Sequence, residues 1–442
     1  MPNKLPMGTR RTGDLYDSYE DTPDVKVTLE RSEQGLSVTV AWSSPEVPYA
    51  AWFMSRGGFL PGTEPKEPKP VPQRVVFHDS HGSVLLIRCW ARGFHADAFG
   101  PGSGTLWARA AILGVEADLQ YDRPHGLSSE ISGLREWLGV TSWSIEHELV
   151  DGVGVARLTS VPPARIELGD HSGLVLELTS GWQVVPDEGG DRRELLDLLW
   201  CTTRSSEPMA WDEHLQLHKA LRDLLVLSRW RNESCVVVHA FRQDDPLVTL
   251  DGATHGEQWR EVIVPGDERV PPPSGWHPHL LRFEDLGVAG INHWINLRDH
   301  FARALDPVIS SMDLRNATPH TRLAHTGPGL EALGYLLVLR DGATEQKASR
   351  MPLRARFERI LSEVGDCLPF DGSTWVEDAV SRYNGLKHAN RAQPDEVDLL
   401  NTWADSVMVV RTWVALELGI PKAEVTKRLV DDRQPRGFSV RN

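Results

Sequence analysis

The chain has 442 residues and a formal net charge of -15, so it is long enough for two or three domains and has no overall attraction for nucleic acid or an anionic membrane. An apolar fraction of 40% with a charged fraction of 25% is that of a globular protein and excludes a disordered chain. No run of eighteen or more apolar residues occurs, and Met1 to Asp14 is polar with Arg10 and Arg11 but no apolar stretch, so neither a membrane span nor a secretion signal is predicted and the chain reads as cytoplasmic.

After a loose start, Val25 to Glu30 and Leu36 to Trp42 alternate apolar and polar residues around Glu33-Gln34-Gly35, which predicts a hairpin. A proline-rich loop from Pro61 to Pro72 follows, and then Arg74 to His78 and Ser83 to Trp90 flank Asp79-Ser80-His81-Gly82, a second hairpin signal. Thr105 to Ala111 and Val115 to Tyr121 are further strand candidates. Gly126 to Leu138 reads as a loop leading into a short helix at Ile131 to Leu138. Trp143 to Val150 and Val155 to Val161 form another hairpin across Asp151-Gly152, and Ile166 to Leu168 and Leu174 to Ser180 continue the strands. So many short strands with Gly, Asp and Pro turns predict a sandwich or barrel-like β domain.

At Arg192 the period changes, and leucines from Leu195 to Leu227 spread through helical segments ending near Trp230. Strands return at Ser234 to Phe241 and Trp259 to Val264, before a proline-rich boundary at Val270 to Pro278. From Phe283 onward the pattern is helical: Ile291 to Leu305, Gly329 to Arg340, Pro352 to Val364, Trp375 to Arg391 and Glu396 to Leu418 give a bundle of four or five helices. The expected fold is therefore α+β and multidomain. A mostly-β domain, sandwich or barrel-like, spans residues 1–280 with inserted helices at about 192–230, and an all-α bundle spans 283–435.

Cys89, Cys201, Cys235 and Cys367 contain no Cys-x-x-Cys pair, so they read as reduced core residues. His214 and His218 lie four residues apart, which is zinc-compatible geometry, but no third ligand is identifiable and no metal is expected there. No Gly-x-x-x-x-Gly-Lys-Ser/Thr loop and no Gly-x-Ser-x-Gly elbow occurs, which argues against P-loop NTPases and α/β-hydrolases.

The chemistry-bearing stretch is Arg382-Tyr383-Asn384-Gly385-Leu386-Lys387-His388, followed by Ala389, Asn390 and Arg391. Thr374 and Glu377 read as a capping box at the start of its helix, with Ser373 an equal candidate, and Pro394 lies just beyond its end. On a straight helix Asn384 and His388 superimpose, while Arg382 sits about 120° from His388. Either Gly385 permits a distortion, or Arg382 reaches across, or a second chain completes the site. Arg382 can hold two phosphate oxygens in its fork, His388 can exchange protons near cellular pH, and Asn384 can orient the imidazole or touch a phosphate. Lys387 and Arg391 are candidate contacts to a phosphate backbone. Tyr383 is either a core contact or a base-stacking platform.

A helical bundle with Arg-x(5)-His in its penultimate helix resembles the HEPN superfamily, whose ribonucleases carry Arg, usually a polar residue, and His spaced by four to six residues. Arg74 to Gly93, the strands near Thr105, the segment from Gly126 to Leu138 and the helix at His214 to Trp230 resemble the N-terminal domain of ApeA-type anti-phage proteins. The resemblance implies an abortive-infection protein whose HEPN domain is a metal-independent, cofactor-free RNA endonuclease, acting as a homodimer or higher homo-oligomer. Its N-terminal domain would be the sensor or regulator, answering to a phage-derived trigger. The family pattern puts Asn, Asp or His directly after the Arg, whereas Tyr383 follows Arg382 and the amide comes one position later, at Asn384. A catalytically inactive HEPN interaction or nucleotide-binding module is the alternative. A second match, Arg315-Asn316-x(3)-His320, contains Pro319, and Thr318-Pro319 reads better as the start of a helix than as part of a catalytic one.

Overall fold

The structure, a computed structural model, describes residues 3–17, 25–44, 47–54, 70–96, 101–116, 119–186, 193–249, 251–266, 278–314 and 316–432. The chain begins with strands β1 (Arg10–Asp17), β2 (Val25–Ser32) and β3 (Gly35–Trp42), then a one-turn helix α1 (Ala51–Met54). Next come β4 (Arg74–Asp79), β5 (Gly82–Ile87), β6 (Trp90–Ala96), β7 (Gly102–Ala108), β8 (Ala110–Leu113) and β9 (Gly126–Ile131). Helix α2 (Leu134–Leu138), the hairpin β10 (Trp143–Val150) and β11 (Val153–Ser160), and strands β12 (Ile166–His171), β13 (Leu174–Pro186) and β14 (Arg193–Arg204) lead into helix α3 (Trp211–Arg229). Strands β15 (Cys235–Val248) and β16 (Thr254–Ile263) complete the β region.

Period-two alternation explains most of these strands. In β3, Leu36, Val38, Val40 and Trp42 are buried, with Ser37 and Thr39 between them. One antiparallel sheet of 14 strands results, in the order β12-β13-β14-β9-β15-β16-β8-β5-β4-β1-β2-β3-β7-β6. Strand β7 ends at Ala108 and β8 starts at Ala110, yet β5, β4, β1, β2 and β3 lie between them in the sheet. That run must therefore curl back on itself, and Leu29, Leu36, Val38, Phe77, Leu86 and Ala111 fill the concave side. Among the described residues β6 pairs only with β7 and β12 only with β13, so the sheet stays open and no barrel closes. The ribbon of β10 and β11 stands apart as a two-stranded sheet, exposed along nearly its whole length.

Several expectations are corrected. The loose start contains β1, and the single strand expected at Thr105 to Ala111 breaks at Arg109 into β7 and β8. No strand forms among the described residues of Val115 to Tyr121; residues 117–118 lie outside the described set, and Val115 and Tyr121 are buried in irregular backbone. The loop read from Gly126 is strand β9, and of the helical segments read from Arg192 to Trp230 the first is strand β14 while the later one is helix α3. Both strands are central to one half of the sheet, β9 pairing with β14 and β15. Most of the two proline-rich stretches, Pro61 to Pro72 and Val270 to Pro278, lies outside the described residues. Cys89, Cys201 and Cys367 are buried, and Cys235 is half-buried.

The C-terminal region is all helical, as expected, with α4 (Phe283–His300), α5 (Ala302–Ser310), α6 (Pro319–Arg340), α7 (Glu345–Ser349), α8 (Leu353–Val364), α9 (Gly372–Lys387), α10 (Glu396–Glu417) and α11 (Lys422–Asp431). That is eight helices among the described residues rather than four or five. Helix α10 is the central one, burying Leu399, Trp403, Val407, Val410, Trp413 and Val414 on the face its sequence marks. No helix among the described residues is long and apolar enough to cross a membrane.

Helix α3 joins the two regions. Leu221, Leu224 and Leu225 share one core with Trp294, Leu305 and Trp413 of the helical region, each buried leucine contributing roughly 1.5–3 kcal/mol. Polar contacts set the register. Trp294 Nε1 donates to Ala220 O at 2.7 Å, and Arg298 pairs with Asp223 at 2.7 Å. The wholly buried Arg411 of α10 donates to Leu227 O at 2.7 Å and Ser228 O at 3.1 Å, and pairs with Asp432 at 2.7 Å. A guanidinium thus satisfies carbonyls at the α3 C-terminus, the negative end of the helix dipole.

Candidate functional site

Helix α9 carries the stretch singled out from sequence, but its ends differ from the expected ones. Asp371 is the N-cap, accepting from Ser373 N at 2.9 Å and from Thr374 Oγ1 at 2.8 Å, so Thr374 lies inside the helix and does not cap it. At the other end the helix stops at Lys387, and His388 is the C-cap with φ -121° and ψ 109°. Helical stacking of His388 on Asn384 is therefore overturned: His388 itself is extended and a turn follows it, closed by Arg391 N donating to His388 O at 3.0 Å, although His388 N still donates to Asn384 O at 3.1 Å.

The stop has a packing cause. A Cβ at Gly385 would lie 2.9 Å from Pro394 Cγ and 3.2 Å from Ala392 O, so the chain after His388 doubles back over the last turn of α9. Gly385 serves this close approach and does not kink the helix. Asp395 then caps α10, accepting from Val397 N at 2.8 Å.

Residues adjacent in sequence face different neighbours. Arg382, about one-fifth exposed, lies between α9 and α10: it donates to Thr402 Oγ1 at 2.6 Å and pairs with Asp378 at 3.1 Å and Asp398 at 3.4 Å. Tyr383 turns inward and is buried against α6, where a Cβ on Gly327 would fall 2.1 Å from its ring. Burial, followed by the Glu331 carboxylate, pushes its phenol well above the usual range. Tyr383 is thus a core contact. Lys387 crosses the Tyr383 ring at 4.7 Å and pairs with Glu331 at 2.6 Å. His388 and Arg391 are exposed and Asn384 is half-exposed.

The last two turns of α9 and its C-cap thus carry a guanidinium held against α10, a half-exposed amide and an open imidazole. Asp378 was readable as the residue four before Arg382. Asp398 and Thr402 come from the next helix, and nothing in the α9 sequence announces them. The loop after His388 also reaches the rival motif, since Gln393 Nε2 lies 3.1 Å from His320 Nε2. Thr318 caps α6 with Pro319 in its first turn, as the sequence reading has it, and Arg315 lies outside the described residues.

The pair at His214 and His218 has a different setting. Both imidazoles are fully buried under the sheet. Thr203 Oγ1 lies 2.8 Å from His214 Nδ1 and 2.9 Å from His218 Nε2, and Ser129 Oγ lies 2.7 Å from His218 Nδ1. Burial pushes His214 down to about 4; burial and then the neighbouring His214 push His218 down to about 3, so both are neutral near pH 7. They form a hydroxyl and imidazole network fastening α3 to β9 and β14. Among the described residues no cluster of three His, Cys, Asp or Glu is placed to hold a metal ion.

No curated protein and no solved structure matches the chain significantly. Residues 15–233, from within β1 through the end of α3, match the family model described as ApeA N-terminal domain 1, so this half of the chain is similar to the N-terminal domain of ApeA-type proteins.

Proposed function

We propose that the protein is an anti-phage defence protein whose helical region is a HEPN-type, metal-independent endoribonuclease, with the β region as its sensor or regulator. The observation that carries the defence role is the match of residues 15–233 to ApeA N-terminal domain 1. The nuclease reading is supported by Arg382 and Asn384 lying in the last two turns of α9 and His388 at its C-cap, in an all-helical region.

In the reaction the ribose 2′-oxygen bonds to the adjacent phosphorus as its proton is removed, and the phosphorus–O5′ bond breaks as O5′ takes up a proton, leaving a 2′,3′-cyclic phosphate and a 5′-hydroxyl, while a cation relieves the added negative charge. His388 moves the proton, from an exposed position that an RNA strand can reach. Arg382 is oriented by Thr402 and by the carboxylates of Asp378 and Asp398, and it offers its remaining N–H groups to the phosphate. Asn384 orients the imidazole or contacts the same phosphate, and Lys387 and Arg391 hold the backbone. RNA is required because the nucleophile is its own 2′-hydroxyl. A homodimer or higher homo-oligomer brings two such helix ends together, and a phage-derived component releases activity.

The second reading, a non-catalytic HEPN module in a sensor or scaffold, is favoured by the burial of Tyr383 where the family pattern has a polar residue and by the two carboxylates already on Arg382. One experiment separates them. Wild type and His388→Ala are compared under phage challenge, and the purified proteins are incubated with total RNA in EDTA. Cleavage and protection by wild type alone are expected. Equal protection with no cleavage would overturn the nuclease reading, and EDTA-sensitive cleavage would overturn the metal-free mechanism.

A further inference from the structure

On the other side of α9 from Arg382, the bundle opens into a cleft of about 640 Å³, within the ~300–1,000 Å³ usual for small-ligand sites. Its walls come from four helices: Arg303 of α5, Glu331 and Tyr335 of α6, Arg356 of α8, and Tyr383 and Lys387 of α9.

The charges are unevenly used. Glu331 lies between two cations, 2.6 Å from Lys387 and 3.7 Å from Arg356. Arg356 is further occupied by Ser349 O at 3.0 Å, and its guanidinium lies 5.8 Å from the Tyr335 ring centre. Arg303 is exposed and has no ion pair among the described residues. Three cations against one carboxylate leave the cleft with two excess positive charges in a chain whose net charge is -15. Such a local reversal of sign draws an anion to this place and away from the rest of the surface.

We propose that this cleft is a nucleotide subsite. It takes one 5′-nucleotide unit, with the phosphate on Arg303 and the free N–H groups of Lys387, the base against Tyr335, and Glu331 accepting from an exocyclic amino group or a ribose hydroxyl. A ring face stacks any base, and the cations supply phosphate affinity without sequence preference. The unit is either one residue of an RNA strand or a free mononucleotide. For the strand, the inference rests on the RNA reading above and places the flanking nucleotide beside the end of α9.

The test uses the full chain, with a 2′-O-methyl RNA hexamer, which lacks the nucleophile, and AMP as separate probes in calorimetric titrations. Hexamer binding is expected, weakened tenfold or more by Arg303→Glu, with a salt slope lower by about one. Tyr335→Ala should weaken it comparably while Tyr335→Phe retains it. AMP binding as tight as the hexamer assigns the cleft to free nucleotide; hexamer binding alone assigns it to the strand. The proposal is overturned if neither probe binds, or if Arg303→Glu binds the hexamer with wild-type affinity. Failure of the nuclease reading looks different: the hexamer binds and depends on Arg303, but unmodified RNA is not cut.

Discussion

The histidine pair on α3 and the arginine and histidine at the end of α9 use similar side chains at similar spacings in opposite surroundings. His214 and His218 are sealed beneath the sheet, where burial holds them neutral and the hydroxyls of Thr203 and Ser129 meet their ring nitrogens. His388 stands in solvent, and Arg382 keeps part of its guanidinium open. Spacing alone could not tell these cases apart, because what separates them is the cover supplied by distant elements. In the first the cover is β9 and β14, strands paired through Cys201 and Ser129 far apart in sequence. The sealed region should therefore govern stability, and the open one activity.

The largest effect is expected on the sealed side. Arg411→Ala removes the guanidinium that meets Leu227 O, Ser228 O and Asp432, leaving a nearly buried carboxylate and two carbonyls without it. A loss of about 3–5 kcal/mol should appear in urea unfolding, and a loss below about 1 kcal/mol would remove the seam from the account.

Next comes acid sensitivity. The folded values of the two histidines, about 4 and about 3, lie below the unfolded value of ~6.5, so the unfolded chain takes up these protons first. Their contribution is complete above pH ~6.5 and falls as pH drops, by about 1.4 kcal/mol per unit for each histidine until the folded value is reached. Unfolding midpoints measured between pH 7.5 and 5 should fall, and His218→Gln should flatten the slope; an unchanged slope would locate the acid sensitivity elsewhere.

Gly327→Ala tests the join between α6 and α9. Its Cβ would fall 2.1 Å from the Tyr383 ring, and forcing that ring aside should cost about 1–3 kcal/mol. Thermal unfolding reads the loss. A neutral result would mean that the end of α9 is free to move.

The smallest stability effect belongs to the open region. Arg382→Lys exchanges a partly exposed, two-carboxylate pairing for a point charge and should change stability by less than about 1 kcal/mol. RNA cleavage, if the guanidinium fork holds the phosphate, should be lost. Retained cleavage with lowered stability would reverse the comparison.

The sequence made the hairpins legible where a polar turn separates alternating runs, as at Asp79 to Gly82 and Asp151-Gly152. It did not reveal β9 and β14. In β9 the buried positions include Ser128 and Ser129, whose hydroxyls pair with Thr202 and His218, so the strand carries no hydrophobic stripe. In β14, Leu195, Leu196, Leu198 and Leu199 fall at spacings that suit a helix, and only pairing with β13 makes them a strand. At the candidate site, the helix was legible. Where α9 stops was not, because Pro394 and Ala392 packing on Gly385 decide it.

The contact of Arg411 with the last turn of α3 has a consequence for how the molecule opens. Amides of α3, α10 and the strands under the histidine pair should exchange with deuterium as one slow unit, while the ribbon of β10 and β11 exchanges ahead of them. Loosening β9 or β14 would then lower protection in α10, and with it the anchorage of Asp398 and Thr402 around Arg382. Strain placed on the sheet half would thus reach the far end of the chain as a change in opening free energy, with no displacement visible in a static structure.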